Sequence, residues 1–159
     1  MNTDQQRIQN KQKASASANK LSVLPILLLA GYTLLLFYWM FFGFGRTDHP
    51  GAPYRYNLVP FRTVIDFATL RVGSPLDRLI NLLGNIGVFV PFGLLVPWIR
   101  RVKLRRFLVG FVCCIFVVEV MQMLSRRGTF DIDDIWLNTL GAWIGYMLWS
   151  GIQRLGWRR

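Results

Sequence analysis

The residues able to do chemistry crowd into one short stretch. Glu119 and Gln122 stand three apart, Arg126 and Arg127 follow, then Asp131, Asp133 and Asp134, and then Asn138. Such a set admits three kinds of chemistry. A hard divalent cation takes oxygen ligands, so Asp131, Asp133, Asp134 and Glu119 are the residues that would hold one, and Mg²⁺ beside a phosphorylated lipid would be its natural use. Their spacing follows no metal motif, and no cofactor is predicted. Acid–base catalysis would use Asp134 or Glu119 as general base, Arg127 to stabilise developing negative charge, and Thr129 or a water as nucleophile. A binding pocket without a reaction would set Arg126, Arg127, Arg62 and Asn57 against phosphate or headgroup oxygens, with Glu119, Gln122 and Asn85 shaping it. Structural roles compete with all three. An Asp before a helix caps free N–H groups and favours the positive end of the helix dipole. An Arg–Glu–Gln–Asn network ties helices together. Among other reactive types, His49 is alone, and the adjacent Cys113 and Cys114 read as inert core residues. The sequence holds no Ser–His–Asp set, zinc spacing or phosphate-cradling glycine loop.

The elements that must position these groups are apolar. Hydrophobic residues make up 53% of the 159 residues and charged ones only 17%, yet 19 Lys and Arg face 8 Asp and Glu, a net charge of +11. A basic nucleic-acid binder would be richer in charge than this, and a disordered chain poorer in aromatics. Basic clusters between long apolar runs define an all-α integral membrane protein instead. A span needs ~20 apolar residues. The runs predict four transmembrane helices, at 21–44, 79–99, 107–124 and 135–151. Before them lies a polar basic tail, 1–20. Between them lie a long Pro- and Gly-rich loop, 45–78, a basic connection, 100–106, and an Asp-rich loop, 125–134, and after them a short basic end, 152–159. The first run is too long for a signal peptide and lacks a small-residue cleavage site. In the long loop, Val64, Ile65, Phe67 and Leu70 fit one face of a short interfacial helix. Pro91 sits in the second span and frees the carbonyl of Gly87, which predicts a kink. Gly141 and Gly145 form a G-x-x-x-G pair for close helix approach, and Gly84 and Gly87 are expected to act likewise. Trp136, Trp143 and Trp149 read as lipid-facing or interfacial.

Short basic loops stay in the cytoplasm. Arg100, Arg101, Lys103, Arg105 and Arg106 therefore place the middle connection inside, and both termini with it. On this topology twelve bases face one acid on the cytoplasmic side, and seven bases face seven acids outside. The polar span residues also fall at the outer end. Asn81 and Asn85 share a helix face, four residues apart. Glu119 lies five residues before Leu124, about 7–8 Å from the helix end. An ionised Glu in lipid costs at least ~2–3 kcal/mol, so Glu119 is expected to face the bundle, with Arg126 or Arg127 in reach.

Several pieces recur in a known order. They are Asn57-Leu58-Val59-Pro60-Phe61, then Asn81, Gly84, Asn85, Phe89, Pro91, Phe92 and Gly93, then Glu119 and Gln122. The last is Arg127 through Asp134, with Asn138, Gly141, Gly145 and Tyr146. From about 57 to 146 the chain resembles the VanZ-like family of bacterial membrane proteins, named for members that lower susceptibility to teicoplanin-type glycopeptides. The resemblance implies a place in the bacterial cytoplasmic membrane and a link to that antibiotic response. It brings no settled reaction, cofactor or catalytic residue. Three functions compete: a non-enzymatic protein whose outer pocket binds a membrane lipid or lipid-linked cell-wall precursor, an intramembrane enzyme modifying an envelope lipid, and a small structural or assembly subunit.

Overall fold

A computed structural model describes residues 23–43, 51–69 and 74–156 of the chain. The predicted tail, His49, Leu70 and the last three residues lie outside the described residues, as do the side chains of Phe67 and Asn81.

Helix α1 (Val23–Phe41) is uninterrupted and apolar. Pro25 stands in its first turn, where an N–H has no helical acceptor to lose. Most of its large side chains, such as Leu27, Leu34 and Tyr38, are exposed. Such a surface suits lipid and would be a liability in water. Inward, Leu36 joins Phe89 and Ile115 in the core, with Tyr32, Met40 and Phe111 packed around them.

The long loop contains a short strand, β1 (Tyr56–Asn57), and a short helix, α2 (Arg62–Ala68). The predicted second span divides into α3 (Pro75–Gly87) and α4 (Val90–Ile99). The chain breaks at Val88–Phe89, and Pro91 occupies the first turn of α4. Phe92 N–H turns to the carbonyl of Phe89 at 3.2 Å. The carbonyl of Val88 instead accepts the Tyr32 hydroxyl of α1 at 2.6 Å. A helix break at membrane depth is tolerated where a neighbour satisfies the freed backbone, and Tyr32 does so for the Val88 carbonyl.

Helix α5 (Leu104–Leu124) carries the aromatic packing onward. Phe111 meets Phe89 edge-on at 5.6 Å, and Phe107 stacks on Tyr146 at 5.6 Å. Cys113 and Cys114 are exposed on this helix, not buried in the core as their sequence context predicts. They sit on the outer face of a helix whose inner face is filled by Phe107, Ile115 and Glu119.

The last helix, α6 (Ile132–Arg154), follows strand β2 (Phe130–Asp131) directly. It packs most extensively on α4, then on α3 and α5. Its contacts ascend together with α3 and α4: Asp134 meets Asn85, Gly145 meets Val90 and Gly93, and Trp149 stacks on Trp98. The two therefore run parallel over a common depth. Gly93, Gly141 and Gly145 permit this. A Cβ on Gly141 would run into the Ile86 carbonyl, one on Gly145 into the Val90 carbonyl, and one on Gly93 into the Ala142 carbonyl. Gly84 and Gly87 do not share the role, since a Cβ at either meets nothing. Trp149 is also not lipid-facing. It is buried against Trp98 at 5.7 Å, whereas Trp136 and Trp143 are exposed.

Among the described residues, three helical stretches are long and apolar enough to cross a membrane: Val23–Phe41, Leu82–Ile99 and Leu104–Leu124. Helix α6 has the length, but it carries Asp133, Asp134, Asn138 and Arg154.

Candidate functional site

The buried polar side chains of the described residues are Glu119 (1% exposed), Asp133 (1%), Asn138 (2%) and Gln122 (4%). All four lie where the end of α5 meets the start of α6. The segment between these helices has a specific build. Arg126 adopts a left-handed backbone, φ 56°, which turns the chain at the end of α5. Free carbonyls at that end are then satisfied, because Gln122 O accepts the N–H groups of Arg127 and Gly128, each at 3.2 Å. The Gln122 side chain reaches across to the Met40 carbonyl at 3.0 Å, and Arg127 reaches the Phe41 carbonyl at 3.1 Å. Together they clamp the end of α1 onto the end of α5. The Arg127 guanidinium also stands 4.6 Å from the Phe42 ring, a cation–π distance. Arg126 does not turn to Glu119 as its spacing predicts. With the backbone left-handed, its guanidinium lies 5.1 Å from the Tyr54 ring.

Strand β2 pairs in parallel with β1, Tyr56 opposite Phe130 and Asn57 opposite Asp131. No period in the sequence announces two residues of strand. Pairing brings the long loop against α6, and two carboxylates fasten it. Asp133 accepts the Phe61 N–H at 2.6 Å through one oxygen and the Thr63 N–H at 2.8 Å through the other. These are the orphan donors at the start of α2, capped from a different helix. Phe61 has φ 63° there, an unfavourable region for a bulky residue. Asp131 caps α6 by accepting the Asp133 N–H at 2.9 Å. It also takes the Thr63 hydroxyl at 2.5 Å and the Asn57 amide at 3.1 Å. Asn57 in turn accepts the Val59 N–H at 3.2 Å.

Glu119 accepts the Asp131 N–H at 3.3 Å, so it supports the start of α6 from below. Asp134 accepts the Asn85 amide at 2.6 Å, joining α6 to α3. Asn138 stands one turn beyond Asp134 on the same helix face. Its Oδ1 is buried and has no hydrogen-bond partner, and the Thr139 hydroxyl next to it is in the same position. An acceptor at this depth lacks a donor.

The structure thus gathers Asn57, Asn85, Glu119, Gln122, Asp131, Asp133, Asp134 and Asn138 at one end. Arg126 and Arg127 stand at its edge. Arg62 is apart, exposed on α2 and 3.8 Å from Asp66. Thr63 is the residue that sequence reasoning missed, and its place two residues after the Pro60–Phe61 turn gave no signal of it. No group of three or more His, Cys, Asp or Glu among the described residues is placed to hold a metal ion. The oxygens of Asp131 and Asp133 point instead at N–H, hydroxyl and amide donors.

An apolar helical bundle with its buried polar groups at one end is the form of a membrane protein. A family model described as VanZ/LLP1 matches residues 26–154. The chain belongs to the VanZ/LLP1 family, and the match takes in α1 as well as the part that the sequence motifs cover. No curated protein and no solved structure matches it.

Proposed function

We propose that this chain is a four-span protein of the bacterial cytoplasmic membrane whose buried polar centre opens outward. That centre binds a lipid or lipid-linked cell-wall component, and lowered susceptibility to teicoplanin or lipoglycopeptides is the cellular consequence. The parallel course of α6 beside α3 and α4 supports four spans, because a helix that keeps pace with a span shares its depth. The basic residues at the opposite end support the orientation. The short helix α2, with Ile65 exposed, would lie at the outer surface.

The observation that carries the reading is the Asn138 Oδ1, buried without a donor beside the Asn85–Asp134 bond. Intramembrane polar groups are costly and mark functional sites by default. A headgroup N–H or O–H would supply the missing bond, with Arg126 and Arg127 near the entrance for phosphate. Asp131 and Asp133 hold the loop that walls the site, and Glu119 supports them from below. A second reading, an enzyme acting on the same lipid, is favoured by the burial of Glu119 close to the Asp-rich segment.

One comparison separates these. Lipids are extracted from cells with no copy, wild type, Glu119→Gln, Asp134→Asn and Asn138→Leu, and profiled by mass spectrometry beside a teicoplanin susceptibility assay. Binding predicts an unchanged cellular profile and a lipid that co-purifies with wild type and is lost with Asn138→Leu. A new covalent lipid species that disappears with Glu119→Gln supports the enzyme. If all three variants keep wild-type lipid retention and susceptibility, the polar centre has no such role.

A further inference from the structure

The opposite end of the molecule carries a second feature. Helices α4 and α6 frame an apolar groove of about 680 Å³ there, lined by Leu94, Leu95, Trp98, Trp149, Ile152 and Leu155. Its volume is within the range of sites that take small ligands. Groove shape alone selects no lipid, because one acyl tail is as apolar as another. Charge around the groove does select. Arg100 and Arg101 follow the last turn of α4 directly, and Arg154 stands between the lining residues Ile152 and Leu155. Lys103, Arg105 and Arg106 continue the cluster, and all six are exposed. The ion pair Arg62–Asp66 lies elsewhere, on α2. The acids with described side chains, Asp66, Glu119, Asp131, Asp133 and Asp134, belong to the loop and helix ends far along the bundle. Among the described residues, no carboxylate stands near these cations.

From the groove and its charge together, we infer that this end binds a phospholipid with a net-negative headgroup. One acyl chain fills the groove against the Trp98–Trp149 stack, and the phosphate meets Arg100, Arg101 and Arg154. Basic clusters beside spans recognise anionic headgroups, and arginine suits phosphate by its paired donors. Orientation signals alone would give bases without a seat. The adjacent groove turns general attraction into a site of defined occupancy. This inference is independent of the polar centre at the other end.

The test uses the full chain in detergent, equilibrated with mixed micelles of equal phosphatidylglycerol and phosphatidylcholine, then washed. Retained lipid is counted by mass spectrometry. The expected result is about one phosphatidylglycerol per chain, in at least about tenfold preference over phosphatidylcholine. The triple change Arg100→Gln, Arg101→Gln and Arg154→Gln removes that preference, while the matching triple change to Lys keeps most of it. Ile152→Trp, which fills the groove and leaves every charge, lowers retention of both lipids. Equal retention of the two lipids by wild type overturns the inference, and so does unchanged preference in the Gln variant. A second measurement needs no variant. Phosphatidylglycerol brominated on its acyl chain quenches the tryptophan fluorescence more than brominated phosphatidylcholine does, and equal quenching overturns the inference.

Discussion

Asp133 shows how one side chain decides local structure at a distance. Its two oxygens take the N–H groups of Phe61 and Thr63, some seventy residues earlier in the chain. Charge-assisted bonds of this kind contribute about 1.5–3 kcal/mol each, so Asp133→Ala should lower stability by about 3 kcal/mol, read as thermal unfolding in detergent. Phe61 pays for its left-handed backbone. Phe61→Gly should therefore raise stability by about 0.5–1 kcal/mol, since its side chain is exposed and little packing is lost. Asn138 makes the opposite trade. A buried acceptor without a donor costs about 1–3 kcal/mol, so Asn138→Leu should stabilise the ligand-free protein while it abolishes lipid retention. Unchanged stability and unchanged retention together would mean that Asn138 is satisfied by the protein alone. These three residues also mark what sequence can disclose. The cost of polar groups in lipid made Glu119, Asn138 and the Asp cluster visible. The division of labour among the carboxylates was not visible, because it depends on which backbone N–H groups the fold delivers to them.

At the scale of elements, the long helices of the described residues coincide with apolar runs of the sequence, and three of these stretches are long and apolar enough to cross a membrane. The division of the second into α3 and α4 needed more than Pro91, because the break is completed by Tyr32 of another helix. The pairing of β1 and β2 involves two residues each and leaves no periodic trace. Glycines were legible only in part. Gly141 and Gly145 form a recognisable spacing, but whether a glycine meets a neighbour depends on the face that the neighbour covers. Gly141→Leu or Gly145→Leu should therefore separate α6 from α3 and α4, with a loss of at least about 3 kcal/mol from steric overlap with backbone. Gly84→Ala should instead be neutral or stabilising by up to about 1 kcal/mol, as alanine is the better helix former. Melting temperatures of the three variants in one detergent would decide the matter, and equal losses at Gly84 and Gly141 would contradict the contact pattern.

At the scale of the whole molecule, the charge of +11 acts as an orientation signal on the proposed topology. Among the described residues, the bases with no acid near them lie at one end and the carboxylates at the other. Single cysteines at Asp131 and Lys103 test the direction, in a background where Cys113 and Cys114 are replaced. Both native thiols are exposed, so this background is required. A membrane-impermeant maleimide added to intact cells should label position 131 and spare position 103. The reverse pattern would invert the topology and place the polar centre inside. The tie between the loop and α6 bears on time as well as space. A ribosome delivers Asn57, Phe61 and Thr63 well before it delivers Asp131 and Asp133, with α3, α4 and α5 made in between. Until α6 has been synthesised, the turn at Phe61 and the start of α2 have only the local bonds of Asn57 and Val59, without the two carboxylates that take the Phe61 and Thr63 donors. The polar centre is thus among the last parts of the protein to form, and a chain cut short before Asp131 would have its first spans and no site.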